Sequence, residues 1–161
     1  MDAQDVGPGD ASGPLVVRSP VAGRVLPLSD VPDLVFAEQM LGPGIAVEPD
    51  PGPGTVVAPV DGMLAVLHAH AFLVRTGAGR GVLVHLGIDT VQLEGEGFEL
   101  LAAVGDEVSA GTPVVRWDPS AVAAAGRAAA CPVVALDAPS GAVERLVGDR
   151  AEVGTQLFRW A

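Results

Sequence analysis

The segment Val104-Gly105-Asp106-Glu107-Val108-Ser109-Ala110-Gly111-Thr112-Pro113-Val114-Val115-Arg116-Trp117 returns near the end of the chain as Val147-Gly148-Asp149-Arg150-Ala151-Glu152-Val153-Gly154-Thr155-Gln156-Leu157-Phe158-Arg159-Trp160. A second unit, Pro20-Val21-Ala22-Gly23-Arg24-Val25, returns as Pro59-Val60-Asp61-Gly62-Met63-Leu64, with a shortened form at Pro139-Ser140-Gly141-Ala142-Val143. Two copies are too few for a solenoid, whose stacked repeats bury a core only in longer arrays. Glycines at matching places between short Val-rich runs predict instead tight bends in a duplicated, compact β-sandwich. Composition agrees. Hydrophobic residues make up 49% of the 161 but aromatic residues only 4%, so Val, Leu, Ala and Ile must build the core. The 21 Gly and 14 Pro fall between apolar runs, where they read as turns.

The Gly-Asp-x-Val-x-x-Gly form of the repeat resembles the turn of barrel-sandwich hybrid domains, among them lipoyl and biotinyl carriers. The expected fold is therefore all-β, an antiparallel β-sandwich of duplicated hybrid motif with short helical turns. Leu34–Leu41 and the Ala-rich Ser120–Ala130, which follows Asp118-Pro119, are the places for those turns. Lipoyl and biotinyl carriers modify a lysine at the hairpin tip, and all nine basic residues here are arginine, which excludes that function. Residues 1–14 are small, acidic and turn-forming and are expected to be a disordered tail, leaving 15–161 as a single domain.

A net charge of −11 repels nucleic acid and anionic lipid and favours a basic protein partner. Neither nucleic-acid binding nor stable membrane anchoring is expected. The one cysteine, Cys131, excludes an intrachain disulfide and lies in an apolar stretch that suits a buried, inert thiol. No basic-plus-apolar signal segment and no long apolar run occurs, so the expected location is cytoplasmic.

All three histidines fall between residues 68 and 85. The runs 67–76 and 81–91, joined by Gly77-Ala78-Gly79-Arg80, predict a hairpin. With those four residues as the loop, Thr76 faces Gly81 and His85 falls opposite Phe72, diagonal to His70 and on its face. A slip of one residue would put His85 on the other face. Two neutral imidazoles side by side suit phosphoryl transfer: one ring nitrogen is a nucleophile near pH 7, and the other ring donates to a phosphate oxygen.

The block Gly81-Val82-Leu83-Val84-His85-Leu86-Gly87-Ile88-Asp89-Thr90-Val91 with Gln92-Leu93-Glu94-Gly95-Glu96-Gly97-Phe98 resembles the active-site signature of the glucose-family IIA components of the bacterial phosphotransferase system. Val31-Pro32-Asp33-Leu34-Val35-Phe36-Ala37-Glu38, Ala58-Pro59-Val60-Asp61-Gly62 and His70-Ala71-Phe72 match in the family's order, and the resemblance runs from about Val16 to the C-terminus. It implies a carrier that takes a phosphoryl group from the phosphohistidine of the protein HPr and passes it to a cysteine on the IIB domain of a sugar permease. By this resemblance His85 accepts the group and His70 stabilises it without being phosphorylated. Asp33 and Asp89 match acidic positions that meet an arginine of HPr, and Val35, Phe36, Met40, Leu83 and Val91 fall in an apolar docking ring. No cofactor is implied and no metal is required; zinc at His70 and His85 would be incidental. The segment between Gly62 and His70 is about two residues shorter than in typical members, and the threonine they carry just before the second histidine has no clear counterpart unless His68 takes its place.

Two other readings use the same residues. His68-x-His70 and His85-x-x-x-Asp89 imitate ligands of lysostaphin-like zinc endopeptidases, but in reversed order and with a short gap. A non-catalytic regulatory binder of the same fold would use the acidic surface alone, and the presence of His70, His85 and Asp89 together favours transfer over that reading.

Overall fold

The computed structural model describes residues 13–161. The expectation of a disordered tail over 1–14 lies outside the described residues except at Gly13 and Pro14, both exposed. In chain order the elements are β1 (Leu15–Arg18), β2 (Gly23–Pro27), α1 (Leu34–Ala37), β3 (Gly44–Pro49), β4 (Gly54–Val57), β5 (Gly62–His68), β6 (Ala71–Arg75), β7 (Gly81–His85), β8 (Phe98–Leu100), β9 (Glu107–Val108), β10 (Pro113–Trp117), α2 (Pro119–Ala124), β11 (Cys131–Ala135), β12 (Val143–Arg145), β13 (Arg150–Ala151) and β14 (Gln156–Trp160). Pairing is antiparallel throughout, as the sequence predicts for a β-sandwich.

The repeats in sequence are repeats in space. One sheet has eight strands in the order β13-β2-β3-β11-β7-β6-β5-β9, and two three-stranded sheets run β1-β14-β12 and β4-β10-β8. Exchanging β2 with β5, β3 with β6, β11 with β7 and β13 with β9 leaves the eight-strand order unchanged, and the same exchange turns one small sheet into the other. Backbone bonds repeat with it. Val25 donates to Asp149 O at 2.8 Å and Leu64 to Asp106 O at 2.9 Å; Ser19 donates to Thr155 O at 2.7 Å and Ala58 to Thr112 O at 2.9 Å. β10 and β14 share one burial pattern, with Val114, Val115 and Trp117 inside in the first and Leu157, Phe158 and Trp160 in the second. Following Val25↔Val47↔Cys131 beside Leu64↔Val74↔Val82, then three residues on, makes Val134 the twin of His85.

Strand alternation divides the apolar residues between two clusters. Val82 and Val84 of β7 enter the main core with Phe72, Leu64 and Phe158. Leu83, and with it His85, lies on the opposite face, against a second cluster of Leu26, Leu28, Val31, Phe36, Ala46, Ile88 and Val134. The chain between β2 and β3 forms the roof of that cluster: a 3₁₀ turn at Leu28–Asp30, then the single turn α1, capped by Asp33 Oδ1 accepting from Val35 N at 2.8 Å. α2 starts as expected, with Pro119 at its first turn and Asp118 accepting from Ser120 N. It stops at Ala124, short of the expected Ala130, because Gly126 takes φ +84° and turns the chain toward β11.

The hairpin register differs by one residue from the sequence expectation. Ala71, not Phe72, faces His85, and Phe72 faces Val84. The reason is the loop. Thr76 N donates to Arg80 O at 2.8 Å and Gly79 N to Thr76 O at 2.9 Å, so the loop is three residues with Gly79 at φ +91°. A left-handed glycine at the third loop position closes a three-residue turn that a four-residue count does not anticipate.

Candidate active site

His85 ends β7, where the chain leaves the sheet into Leu86-Gly87-Ile88-Asp89-Thr90. Three hydrogen bonds fix that loop. Leu86 N donates to His70 O at 2.7 Å, Ile88 N to Ala128 O at 2.9 Å, and the buried Thr90 hydroxyl to Leu86 O at 2.7 Å, while Leu86 and Ile88 are themselves buried. Between these anchors Gly87 adopts φ +81°, and a Cβ there would stand 2.7 Å from Thr90 Cγ2 and 2.8 Å from Ala128 O. Glycine is therefore required on both counts.

The Gly87 carbonyl faces the His85 ring, with Nδ1 and the oxygen 2.5 Å apart. A carbonyl oxygen only accepts, so Nδ1 carries the proton and Nε2 of the neutral ring keeps its lone pair. Two rings pack edge-on against the imidazole: Phe36 at 5.3 Å and 60°, and His70 at 5.3 Å and 66°. The His85 pKa lies below the ordinary value. Burial is the main cause and outweighs the Gly87 carbonyl and the carboxylates of Asp33 and Asp89, all of which favour the proton. His70 is lowered too, by burial first and then by its neighbours His85 and His68. Both rings are uncharged at neutral pH.

The two rings meet despite the shifted register, because His70 is not in a strand. β5 ends at His68 and β6 begins at Ala71, so Ala69 and His70 form the turn, and the His70 ring lies between the other two imidazoles. His68 stacks on it, centroids 5.6 Å apart and planes 13° apart.

Of the remaining residues singled out from sequence, Phe36, Asp33 and Asp89 act on the His85 ring directly. Asp33 caps α1, and Asp89 begins a 3₁₀ turn from the left-handed region at φ +60°. Val35, Met40 and Val91 are exposed at 39%, 67% and 56%, Leu83 is half-buried, and Phe36 is buried at 6%. Phe36 thus lies beneath the patch, against His85. Leu34, exposed at 70%, was missed by the sequence reading, although its place beside Val35 in a helical turn that turns Phe36 inward marks it. Cys131 is fully buried and its thiol pKa is pushed up to about 12, chiefly by burial. Among the described residues no three His, Cys, Asp or Glu side chains converge as metal ligands, and no helix is long and apolar enough to cross a membrane.

Residues 15–140 match the family model described as phosphoenolpyruvate-dependent sugar phosphotransferase system, EIIA 1. The chain is 38% identical over 153 residues to the mannose-specific EIIBCA component of Corynebacterium glutamicum, covering 92% of this chain and 22% of that protein. It thus spans about a fifth of the length of this and other curated relatives that it matches over 92% of itself. The glucose-specific EIIA component of Staphylococcus aureus is 41% identical over 106 residues, 65% of this chain and 63% of that protein. The structure of glucose permease IIA from Mycoplasma capricolum superposes with a TM-score of 0.82 at 32% identity, covering 92% of this chain and 96% of that one.

Proposed function

Because the chain belongs to the EIIA 1 family of the phosphoenolpyruvate-dependent sugar phosphotransferase system, we propose that it is a phosphohistidine carrier working on His85. Residues 15–161 act as one carrier domain, in the cytoplasm, between HPr and the IIB domain of a sugar permease. The observation that carries the reading is the His85–His70 pair, with Nδ1 of His85 tied to the Gly87 carbonyl.

Acceptance is an in-line displacement. The Nε2 lone pair of His85 forms a bond to phosphorus as the N–P bond of the donor phosphohistidine breaks, and that bonding pair returns to the donor imidazole. The Nδ1 proton stays on His85, where the Gly87 carbonyl stabilises the positive charge that the ring carries while bonded to phosphorus. His70 donates an N–H to a phosphoryl oxygen. Onward transfer reverses the bookkeeping: the N–P bond of His85 breaks, its electron pair returns to Nε2, and phosphorus bonds to the thiolate sulfur of the IIB cysteine. Leu34, Val35, Met40 and Val91 form an apolar surface that a docked partner covers, excluding water from an activated phosphoryl group. Asp33 and Asp89 offer charges to a basic partner.

Incubation with enzyme I, HPr and labelled phosphoenolpyruvate tests this. An acid-labile label on wild type that is absent from His85→Ala is expected; an unlabelled wild-type protein, or label retained by the variant, rejects the reading.

A further inference from the structure

The histidine that the transfer step above does not use is placed beside the one that it does. In the register of the sheet His68 faces Ala71 of β6, and Ala71 faces His85 of β7, so His68 and His85 share one face with a methyl group between them. The His70 ring occupies the space over that small residue. Its orientation is set differently from that of His85. The His85 ring is held by a hydrogen bond to the backbone. Among the described residues the His70 ring makes no hydrogen bond; its ring contacts are His68 on one side, nearly parallel, and His85 on the other, nearly perpendicular. A histidine χ2 is broad and roughly two-fold, so a ring without a bonded nitrogen needs packing to choose its plane.

We propose that His68 is a positioning residue for phosphoryl transfer: stacked on His70, it fixes that ring edge-on to His85 so that its N–H meets the phosphoryl group in a single orientation. The proposal rests on the phosphocarrier reading and deepens it. The charged and titratable groups acting on the stack are His70 and His85, with Asp33 and Asp89 beside His85; Glu94 and Glu96 are sequence neighbours of Gly95, which approaches Ala69 of the turn. Burial first, then the neighbouring His85 and His68, act against a proton on His70, and a dianionic phosphoryl group favours one.

Two substitutions separate ring from charge. His68→Ala removes the stack; His68→Phe keeps an aromatic face and removes the ring nitrogens. With labelled phosphoenolpyruvate, enzyme I and HPr, acceptance and then release to a IIB domain are measured for wild type and both variants from pH 6 to 8. Release by His68→Ala is expected to fall about tenfold, the scale of freeing one side chain that must be ordered in the transfer complex. His68→Phe is expected to restore most of that rate. Ring-proton NMR gives a readout independent of turnover, with the His70 midpoint expected to rise in His68→Ala. Release by His68→Ala at the wild-type rate, or equal impairment of both variants, would overturn the proposal. Wild-type protein that takes no label on His85 removes the phosphocarrier reading itself, and the positioning role with it.

Discussion

Nδ1 of His85 donates its proton to the carbonyl oxygen of Gly87, two residues further along its own chain. The bond decides which nitrogen is nucleophilic, and it exists because Gly87 can hold a backbone angle, φ +81°, that other residues rarely adopt.

Gly87→Ala should therefore damage chemistry and stability together. The strained φ alone costs roughly 1–3 kcal/mol, and contacts with Thr90 and Ala128 O add to it. Denaturant unfolding should show the loss, and phosphoryl acceptance should fall further than the folded fraction does. Acceptance that simply tracks the folded fraction would mean that the carbonyl does not orient the ring.

Burial lowers both working histidines from the ordinary value of 6.5, and this sets a direction for stability with pH. Between 6.5 and the lowered values the unfolded chain binds protons that the folded chain refuses. Stability is complete above 6.5 and is lost as pH falls through it, down to the folded pKa values. NMR titration of the ring protons should place both midpoints below 6.5, and denaturation midpoints should decline below that pH. His85→Ala should reduce the decline.

His70→Gln keeps a side chain able to donate to a phosphoryl oxygen but loses the imidazole. It should still accept phosphate from HPr and should release it to IIB poorly. Normal release with lost acceptance would reverse the roles given to the two histidines.

Asp33→Asn separates the two roles of that side chain. Asparagine is as good a cap as aspartate, so α1 and overall stability should change by less than about 0.5 kcal/mol. Association with HPr should slow, and its dependence on salt should weaken, because one steering charge has gone. Calorimetric unfolding and stopped-flow binding at two ionic strengths measure the two effects.

Phe36→Ala removes a buried ring that packs on His85. A stability loss of about 3 kcal/mol is expected, at the low end for Phe→Ala because the second apolar cluster is small and can collapse. The His85 midpoint should rise as water reaches the ring, since burial is the main cause of its lowering.

Much of this was legible in the chain. The paired Gly-Asp segments foretold the duplication, and the clustering of the histidines in sequence anticipated the meeting of their rings in space. The register was not legible, because loop length depends on whether Gly79 or its neighbour takes the left-handed position, and both Gly77 and Gly79 are available. Nor was the route by which His70 reaches His85: period-two counting places residues within strands, whereas His70 lies in a turn where alternation no longer applies. The inward orientation of Phe36 depends on one turn of helix whose phase is set by the Asp33 cap, a detail that the Val-Pro-Asp-Leu-Val-Phe string suggests only once the cap is seen.

The internal twofold distributes the candidate site unequally between its two copies. β4 to β10 make up one copy as an unbroken stretch, and it carries every histidine; the other copy is split around it, β1 to β3 before and β11 to β14 after. In the split copy the seat equivalent to His85 holds Val134, and its strands, with the turns that follow β2, supply most of the apolar cluster that floors the patch. The proposed reacting rings thus come from one copy, and Leu34, Val35 and Met40 of the proposed docking surface from the other, while Val91 and Asp89 belong to the first. Substitutions confined to the outer segments would then alter partner contact without moving the strands that carry the histidines.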